Sequence, residues 1–179
     1  FNLSGEVSPH TSPSTTAGML SSVVARELNV SGFCQSMSCT CSTALMCLLN
    51  ASAMCAAGGG EAVVAGASEA PLTKFGFAQM EALRIYSKLS KDEFPSRPFS
   101  GTQNSFVLAE GAGLFLVENK RRSDTLATIG SFATWIDKAP TQTGVSQDGE
   151  HFVRTMKDAL QRYGRKVDAV DCHSTGTIK

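Results

Sequence analysis

Cys41 is the residue of this 179-residue chain whose type and setting best suit covalent chemistry. It stands where an alternating segment, Phe33 to Cys39, gives way to helix formers that begin at Thr43. A thiol at the start of a helix faces unpaired backbone N–H groups and the positive end of the helix dipole, which favours the thiolate. The same N–H groups can stabilise the oxyanion formed when a thioester carbonyl is attacked. The alternative is an inert buried thiol, because free cysteine is a common core residue.

The elements that must position such a nucleophile alternate between strand and helix. The pattern predicts helices from Ser12-Pro13 to about Leu28, from Thr43 to Ala57 and from His151 to Tyr163. It predicts strands at 33–39, 61–67, 106–108, 113–117, 125–136 and 167–172. The last of these delivers His173 to its carboxyl end. This alternation indicates an α/β protein with at least one largely buried sheet.

The stretch from Leu28 to Gly60 contains no charged residue. The helix predicted inside it is apolar nearly all the way round, so it must be covered on every side. The stretch is long enough to span a bilayer, but Ser, Thr, Asn and Gln interrupt it throughout. No window of about twenty residues is predominantly apolar, so no membrane span is predicted.

The composition argues against several other functions. Sixteen basic residues balance sixteen acidic ones, which gives no electrostatic reason to expect nucleic acid. Five of the six cysteines lie in the uncharged stretch, which favours a reduced, cytoplasmic protein, and no signal peptide is visible after Phe1. There is no C-x-x-C pair, so no metal site is predicted. Gly111-x-Gly113 lacks the G-x-G-x-x-G spacing of a nucleotide site.

Four segments resemble, in order and in spacing, the motifs of the β-ketoacyl synthase family. The segment TCSTA at 40–44 resembles its nucleophile motif, and AVVAGASEA at 62–70 resembles the strand and turn that follow. The segment at 98–99 with FVLAEGAG at 106–113 resembles the one with a Gly-Glu-Gly-Ala-Gly core. Finally, HSTGT at 173–177 resembles the His-Gly-Thr-Gly-Thr motif.

The resemblance implies a thiolase-like layered α/β/α/β/α fold. In that fold two similar α/β halves stack and the nucleophile helix lies in the middle, which fits the uncharged helix after Cys41. Residues 1–179 would form a single unit from the middle portion of the family's chain, with about 1–118 ending the first half and about 119–179 starting the second. The family's later lysine, second histidine and glycine-rich loop have no counterpart, so this chain alone should not condense.

The resemblance also implies a reaction. An acyl group passes from an acyl carrier protein thioester to Cys41, a malonyl thioester loses carbon dioxide, and the enolate attacks the acyl-cysteine to give a 3-oxoacyl thioester. His173 would stabilise the charge that decarboxylation builds on the thioester oxygen. Thr175 and Thr177 match threonines that hydrogen-bond the pantetheine arm, and Phe77 falls near the acyl-pocket wall. No cofactor is implied, and the expected partners are the carrier protein and a second ketosynthase-like chain, in a homodimer or a heterodimer.

Some matched positions depart from the family's pattern. Ser174 replaces a glycine in the histidine motif, and Ala109 replaces the first glycine of the Gly-Glu-Gly core. The acidic and glycine residues that usually precede Phe106 are replaced by Ser100, Asn104 and Ser105. The departures at Ser174 and Ser105 favour a second hypothesis, a non-catalytic ketosynthase-like partner subunit of the chain-length-factor type. Retention of Cys41 favours an enzyme of fatty-acid or polyketide synthesis. A third hypothesis is a thiolase-fold acyltransferase that uses coenzyme A without decarboxylation, and for His173 the alternative is a structural histidine.

Overall fold

The structure is a computed structural model that describes residues 7–101, 103–139, 141 and 144–178. The chain divides into two compact units. The first comprises Phe1–Ser68 with Ala112–Asn119, and the second comprises Glu69–Gly111 with Lys120–Lys179. The elements in chain order are α1 (Thr11–Ser14), α2 (Met19–Glu27), α3 (Thr43–Ala56), β1 (Ala62–Glu69), α4 (Lys74–Leu83), β2 (Gly111–Glu118) and α5 (Glu150–Tyr163). A single 3₁₀ turn, Lys91–Glu93, follows α4.

The single helix predicted from Ser12 to Leu28 is wrong, because the structure has two shorter helices, α1 and α2. The hydroxyl of Thr15 donates to the carbonyl of Ser12 at 3.0 Å, and that of Thr16 donates to Pro13 at 2.9 Å. Threonine side chains that bond nearby carbonyls offer the backbone an alternative to the helical ladder. The helix therefore stops at this pair of threonines and starts again at Met19.

α3 forms where the sequence predicts it and ends before Gly58, whose φ is +74°. Its buried residues are Ala51 and Cys55, and the Cys55 thiol donates to the carbonyl of Val117 at 3.4 Å at the end of β2. Leu45 is 65% exposed, so the expectation that the helix is covered on every side is wrong for the described residues. No described helix is long and apolar enough to cross a membrane.

β1 and β2 hydrogen-bond to each other in a two-stranded sheet and confirm the predicted strands at 61–67 and 113–117. The other predicted strands, 33–39, 106–108, 125–136 and 167–172, are wrong, because the structure has no strand at any of them. A strand needs a hydrogen-bonded neighbour along its length. Phe106 makes one isolated bridge to Tyr86, and Cys39 makes one to Cys41. Extended segments without a paired neighbour stay irregular here.

In the second unit, α4 was not predicted and α5 confirms the predicted helix at 151–163. The Thr73 hydroxyl caps α4 by accepting a hydrogen bond from the amide of Gly76 at 3.0 Å. α5 is amphipathic, and the segment before it packs along it. For example, the indole N–H of Trp135 donates to the carboxylate of Asp158 at 2.8 Å.

Candidate functional site

Cys41 lies in a tight turn that leads directly into α3, and it is exposed. The amide of Ser42 donates to the carbonyl of Cys39 at 3.2 Å, and the amide of Thr43 donates to the carbonyl of Thr40 at 3.1 Å. The Thr43 hydroxyl accepts from the Cys39 amide at 2.8 Å and donates to the Thr40 carbonyl at 2.7 Å. The thiol is therefore held on a turn closed by both backbone and side-chain hydrogen bonds.

Thr40 adopts a left-handed backbone with φ +50°, immediately before Cys41. This conformation is unfavourable for a β-branched residue, because its Cβ crowds the following carbonyl. Strained residues of this kind persist where the surrounding structure determines them, and they concentrate at functional sites. The strain at Thr40 marks the Cys41 turn as a site candidate independently of any sequence motif.

The expectation that free N–H groups at the start of α3 would bind an oxyanion needs correction for two of them. The amides of Ser42 and Thr43 already donate to carbonyls inside the turn. An amide that is already bonded within the turn is not available to a developing oxyanion. The turn therefore presents the thiol, and these two amides are not available as oxyanion donors.

His173 is exposed and lies on the wall of a cleft of about 440 Å³ in the second unit. Thr175 and Thr177 line the same cleft, with their hydroxyl oxygens 3.0 Å apart. Since one hydroxyl donates to the other, a single hydroxyl hydrogen of the pair is left for a ligand. The Ser174 hydroxyl donates to the carbonyl of Cys172 at 3.2 Å, so this departure from the motif is satisfied locally.

Residues 104 and 105, noted above only as departures from a pattern, hydrogen-bond to Gly176 and Ile178 in the wall of this cleft. Ser105 is fully buried, and both its amide and its hydroxyl donate to the carbonyl of Gly176, at 2.7 Å and 3.1 Å. The side-chain oxygen of Asn104 accepts a hydrogen bond from the amide of Ile178 at 3.0 Å. No local sequence signal could have joined these positions, since more than seventy residues separate them.

Arg97 also lines the cleft with His173. Its side chain donates to the carbonyl of Phe94 at 3.0 Å and to that of Glu93. Hydrogen bonds from the Ser90 amide and hydroxyl, with the charge of Arg97, hold the pKa of Glu93 below its ordinary value. Among the described residues of the cleft, Arg97 is thus a cation held in place beside the histidine and the threonines.

Phe77 lies apart from this first cleft. It lines a second cleft, of about 700 Å³, with Tyr86, Arg84 and Lys88. Its ring centroid is 6.2 Å from that of Tyr86. Gln103 and Ile178 line both clefts. The two clefts are therefore neighbours in the second unit, whereas Cys41 belongs to the first. Within the described part of the chain, no cluster of three His, Cys, Asp or Glu side chains could hold a metal ion.

Comparison with known proteins identifies the family. A sequence model of the β-ketoacyl synthase N-terminal domain matches residues 2–123. A putative polyketide β-ketoacyl synthase 1 of Streptomyces halstedii is 29% identical over 178 residues, which cover 94% of this chain and 42% of that protein. The 3-oxoacyl-[acyl-carrier-protein] synthase 2 of Coxiella burnetii is 30% identical over 181 residues, which cover 96% of this chain and 44% of that protein.

The solved structures show the same fold. A chain of the complex between a type II polyketide synthase acyl carrier protein and its hexaketide-bound ketosynthase matches with a TM-score of 0.81 and 24% identity. The match covers 96% of this chain and 44% of that one. The chain thus spans less than half the length of these relatives. The predicted thiolase-like fold, present in part, is confirmed, and the chain belongs to the β-ketoacyl synthase family.

Proposed function

We propose that the protein is a decarboxylating ketosynthase that extends acyl groups carried on an acyl carrier protein, in fatty-acid or polyketide synthesis. The observation that carries the proposal is Cys41, exposed on a strained turn at the start of α3 and inside the segment matched by the family. The relatives named above include both polyketide and fatty-acid type synthases. Residues from 1 to about 118 would end the first half of the fold, and residues from about 119 to 179 would start the second.

The proposed reaction has two stages. The Cys41 thiolate attacks the carrier-bound acyl thioester, a sulfur–carbon bond forms, and the carrier thiolate leaves. The C–C bond of a malonyl thioester then breaks and releases carbon dioxide. The resulting enolate attacks the acyl-cysteine, and Cys41 leaves as the thiolate. This requires a free thiol, and the six cysteines, none of them in a disulfide, are consistent with a reducing, cytoplasmic setting.

The second unit supplies the proposed binding and polarising groups. His173 would donate a hydrogen bond to the malonyl thioester oxygen, whose charge grows during decarboxylation. Thr175 and Thr177 would hold the pantetheine arm through the one hydroxyl hydrogen that their pairing leaves free. Phe77 would form part of the acyl-pocket wall from the neighbouring cleft. The partners proposed are the acyl carrier protein and a second ketosynthase-like chain.

A second candidate is a non-catalytic partner subunit of the chain-length-factor type. The observation in its favour is the group of departures at Asn104, Ser105 and Ser174 from the family's usual residues. Such a subunit would pair with an active copy and would need no nucleophile.

Intact-mass spectrometry of the full-length protein separates the two candidates. Wild type, Cys41→Ala and Cys34→Ala are incubated with an acyl carrier protein thioester. Cys34 is a matched control, because its thiol is also exposed but does not lie at the start of a helix. An adduct on wild type and Cys34→Ala that is absent from Cys41→Ala supports the enzyme. Wild type that stays unmodified while a known ketosynthase is acylated overturns it in favour of the partner subunit. Carbon dioxide release from a malonyl carrier thioester then tests the condensation.

A further inference from the structure

Residues 104 and 105 hydrogen-bond to the segment that carries Thr175 and Thr177, the threonines proposed to bind the pantetheine arm. The amide and the hydroxyl of Ser105 both donate to the carbonyl of Gly176, at 2.7 Å and 3.1 Å. The side-chain oxygen of Asn104 accepts from the amide of Ile178 at 3.0 Å. These contacts join Asn104 and Ser105 to the two residues that flank Thr177, and together they form what we call the 104–105 clamp.

The clamp fixes the backbone on both sides of Thr177. The carbonyl of Gly176 belongs to the peptide group before Thr177, and the amide of Ile178 belongs to the peptide group after it. Because peptide groups are planar, holding both of them restricts the φ and ψ of the residue between. The direction of the Thr177 side chain, and its 3.0 Å contact with the Thr175 hydroxyl, therefore depend on the clamp.

The clamp is itself anchored. The Ser105 hydroxyl accepts a hydrogen bond from the amide of Arg97 at 3.0 Å, and the Asn104 side-chain amide donates to the carbonyl of Arg84 at 3.1 Å. Ser105 is fully buried, so if its hydroxyl were removed no water could take its place, and the Arg97 amide would lose this hydrogen bond without a replacement at that point. Gly176 has φ +73°, and a Cβ there would overlap the Ser105 hydroxyl oxygen. The serine fills the space that this glycine leaves open.

We infer that Asn104 and Ser105 are positioning residues that set Thr177, and through it the Thr175–Thr177 hydroxyl pair, for the pantetheine arm of a thioester substrate. The inference rests on the proposed function, in which the pair binds that arm. Asn104 and Ser105 stand where the family pattern has acidic and glycine residues. A glycine at 105 would keep the amide bond to the Gly176 carbonyl but would lack the hydroxyl bond, so the second of these two bonds depends on the serine found here.

The test compares Asn104→Ala, Asn104→Asp and Ser105→Ala in the full-length protein. Asn104→Asp is the comparison variant: it loses the donor to the Arg84 carbonyl, as Asn104→Ala does, but an aspartate oxygen can still accept from the Ile178 amide. Activity is measured with a pantetheine thioester and with a short alkyl thioester that lacks the arm. Hydrogen–deuterium exchange of the Ile178 amide reports on the clamp directly.

Asn104→Ala and Ser105→Ala should each lose about fivefold in kcat/KM for the pantetheine thioester, as expected for one hydrogen bond. They should keep wild-type kcat/KM for the short alkyl thioester. Ile178 exchange should accelerate in Asn104→Ala, which loses the acceptor, and should accelerate less in Asn104→Asp, which keeps it. Equal losses with both thioesters, or unchanged exchange in Asn104→Ala, overturn the inference. If Ser105→Ala does not fold, the Asn104 pair decides.

Failure of the proposed function gives a different result. In that case wild type forms no Cys41 adduct, and chemical-shift titration with a pantetheine thiol replaces the kinetics. Weaker pantetheine binding in Asn104→Ala than in Asn104→Asp supports the positioning role without catalysis. Equal affinities, or no binding to wild type, overturn it.

Discussion

The amide of Cys39 donates a hydrogen bond to the hydroxyl oxygen of Thr43, 2.8 Å away. The first residue of α3 therefore closes the turn that carries Cys41. The same hydroxyl donates to the carbonyl of Thr40 at 2.7 Å. One side chain thus satisfies a donor and an acceptor on the two residues that precede the proposed nucleophile, and it couples the position of the thiol to the start of the helix.

Thr43→Val should separate the contribution of these hydrogen bonds to stability from the contribution of side-chain volume. Valine keeps the shape and loses both bonds, so the free energy of unfolding should fall by about 1–2 kcal/mol. The rate at which iodoacetamide alkylates Cys41 should change as the turn loosens. Thr43→Ser keeps the hydroxyl and should retain most of the stability. Equal urea midpoints for the valine and serine variants would contradict this role.

Thr40→Asn should relieve backbone strain beside the nucleophile. Asparagine tolerates the left-handed region better than threonine does, so the free energy of unfolding should rise by about 1 kcal/mol. Thr40→Ser removes only the β-branch and should give part of the gain. Urea denaturation measures both variants. A less stable asparagine variant would show that the Thr40 side chain, rather than strain, dominates at this position.

Gly66→Ala should damage the sheet of the first unit. A Cβ at Gly66 would overlap the carbonyl oxygen of Gly113 on the paired strand, whereas a Cβ at Gly113 meets nothing within 4 Å. We expect Gly66→Ala to lower the free energy of unfolding by about 2–3 kcal/mol and Gly113→Ala to lower it by less than about 1 kcal/mol. Denaturant unfolding of the two variants, side by side, checks this asymmetry. Similar losses from both would rule out the close approach at Gly66.

Asp137 should make stability depend on acid pH. Hydrogen bonds from the Ser146 hydroxyl and amide, with the nearby His151, hold the pKa of Asp137 below its ordinary value. A depressed pKa stabilises the fold above the unfolded-state value, and the contribution is lost as pH falls through the folded value. The stability advantage of wild type over Asp137→Asn should therefore shrink below about pH 4. Urea midpoints measured from pH 7 to pH 3 test this, and a constant difference would contradict it.

His173→Ala should uncouple the two stages of the proposed reaction. Carbon dioxide release from malonyl carrier thioester should fall by about 10²–10³-fold, as for the loss of one oxyanion donor. The Cys41 acyl adduct should still form, because that step does not use the histidine. His10→Ala changes an exposed histidine that precedes α1 and should leave both steps intact. Equal losses of adduct and of carbon dioxide release would contradict the assignment.

The parts of the fold that were predictable from sequence are those with local causes. α3 and α5 follow from runs of helix formers that end at glycine, and β1 and β2 follow from short apolar runs. The strands at 125–136 and 167–172 were not correctly predicted, because an extended segment becomes a strand only when a partner lies alongside it. The break in the first helix depends on the side-chain hydrogen bonds of Thr15 and Thr16.

In the candidate site, too, the features with local causes were predictable from the sequence and the others were not. Cys41 at the start of α3 was predictable, because both the thiol and the helix start lie within a few residues. The 104–105 clamp was not, because Ser105 and Gly176 meet only after the chain has folded. The left-handed backbone of Thr40 was also not predictable from the sequence, since threonine is an unfavourable residue for that conformation.

The pairing of β1 with β2 leaves one edge of each strand without a strand neighbour in the described part of the chain. Backbone N–H and C=O groups along such an edge can hydrogen-bond any extended segment, whatever its sequence. Leu114, Phe115 and Leu116 on β2 are each more than half exposed, so an added strand would also find apolar surface. The two free edges of the sheet can therefore pair with additional strands. The sheet can grow by accepting further strands in a native assembly, and it can nucleate aggregation when a proteolytic fragment leaves it uncovered.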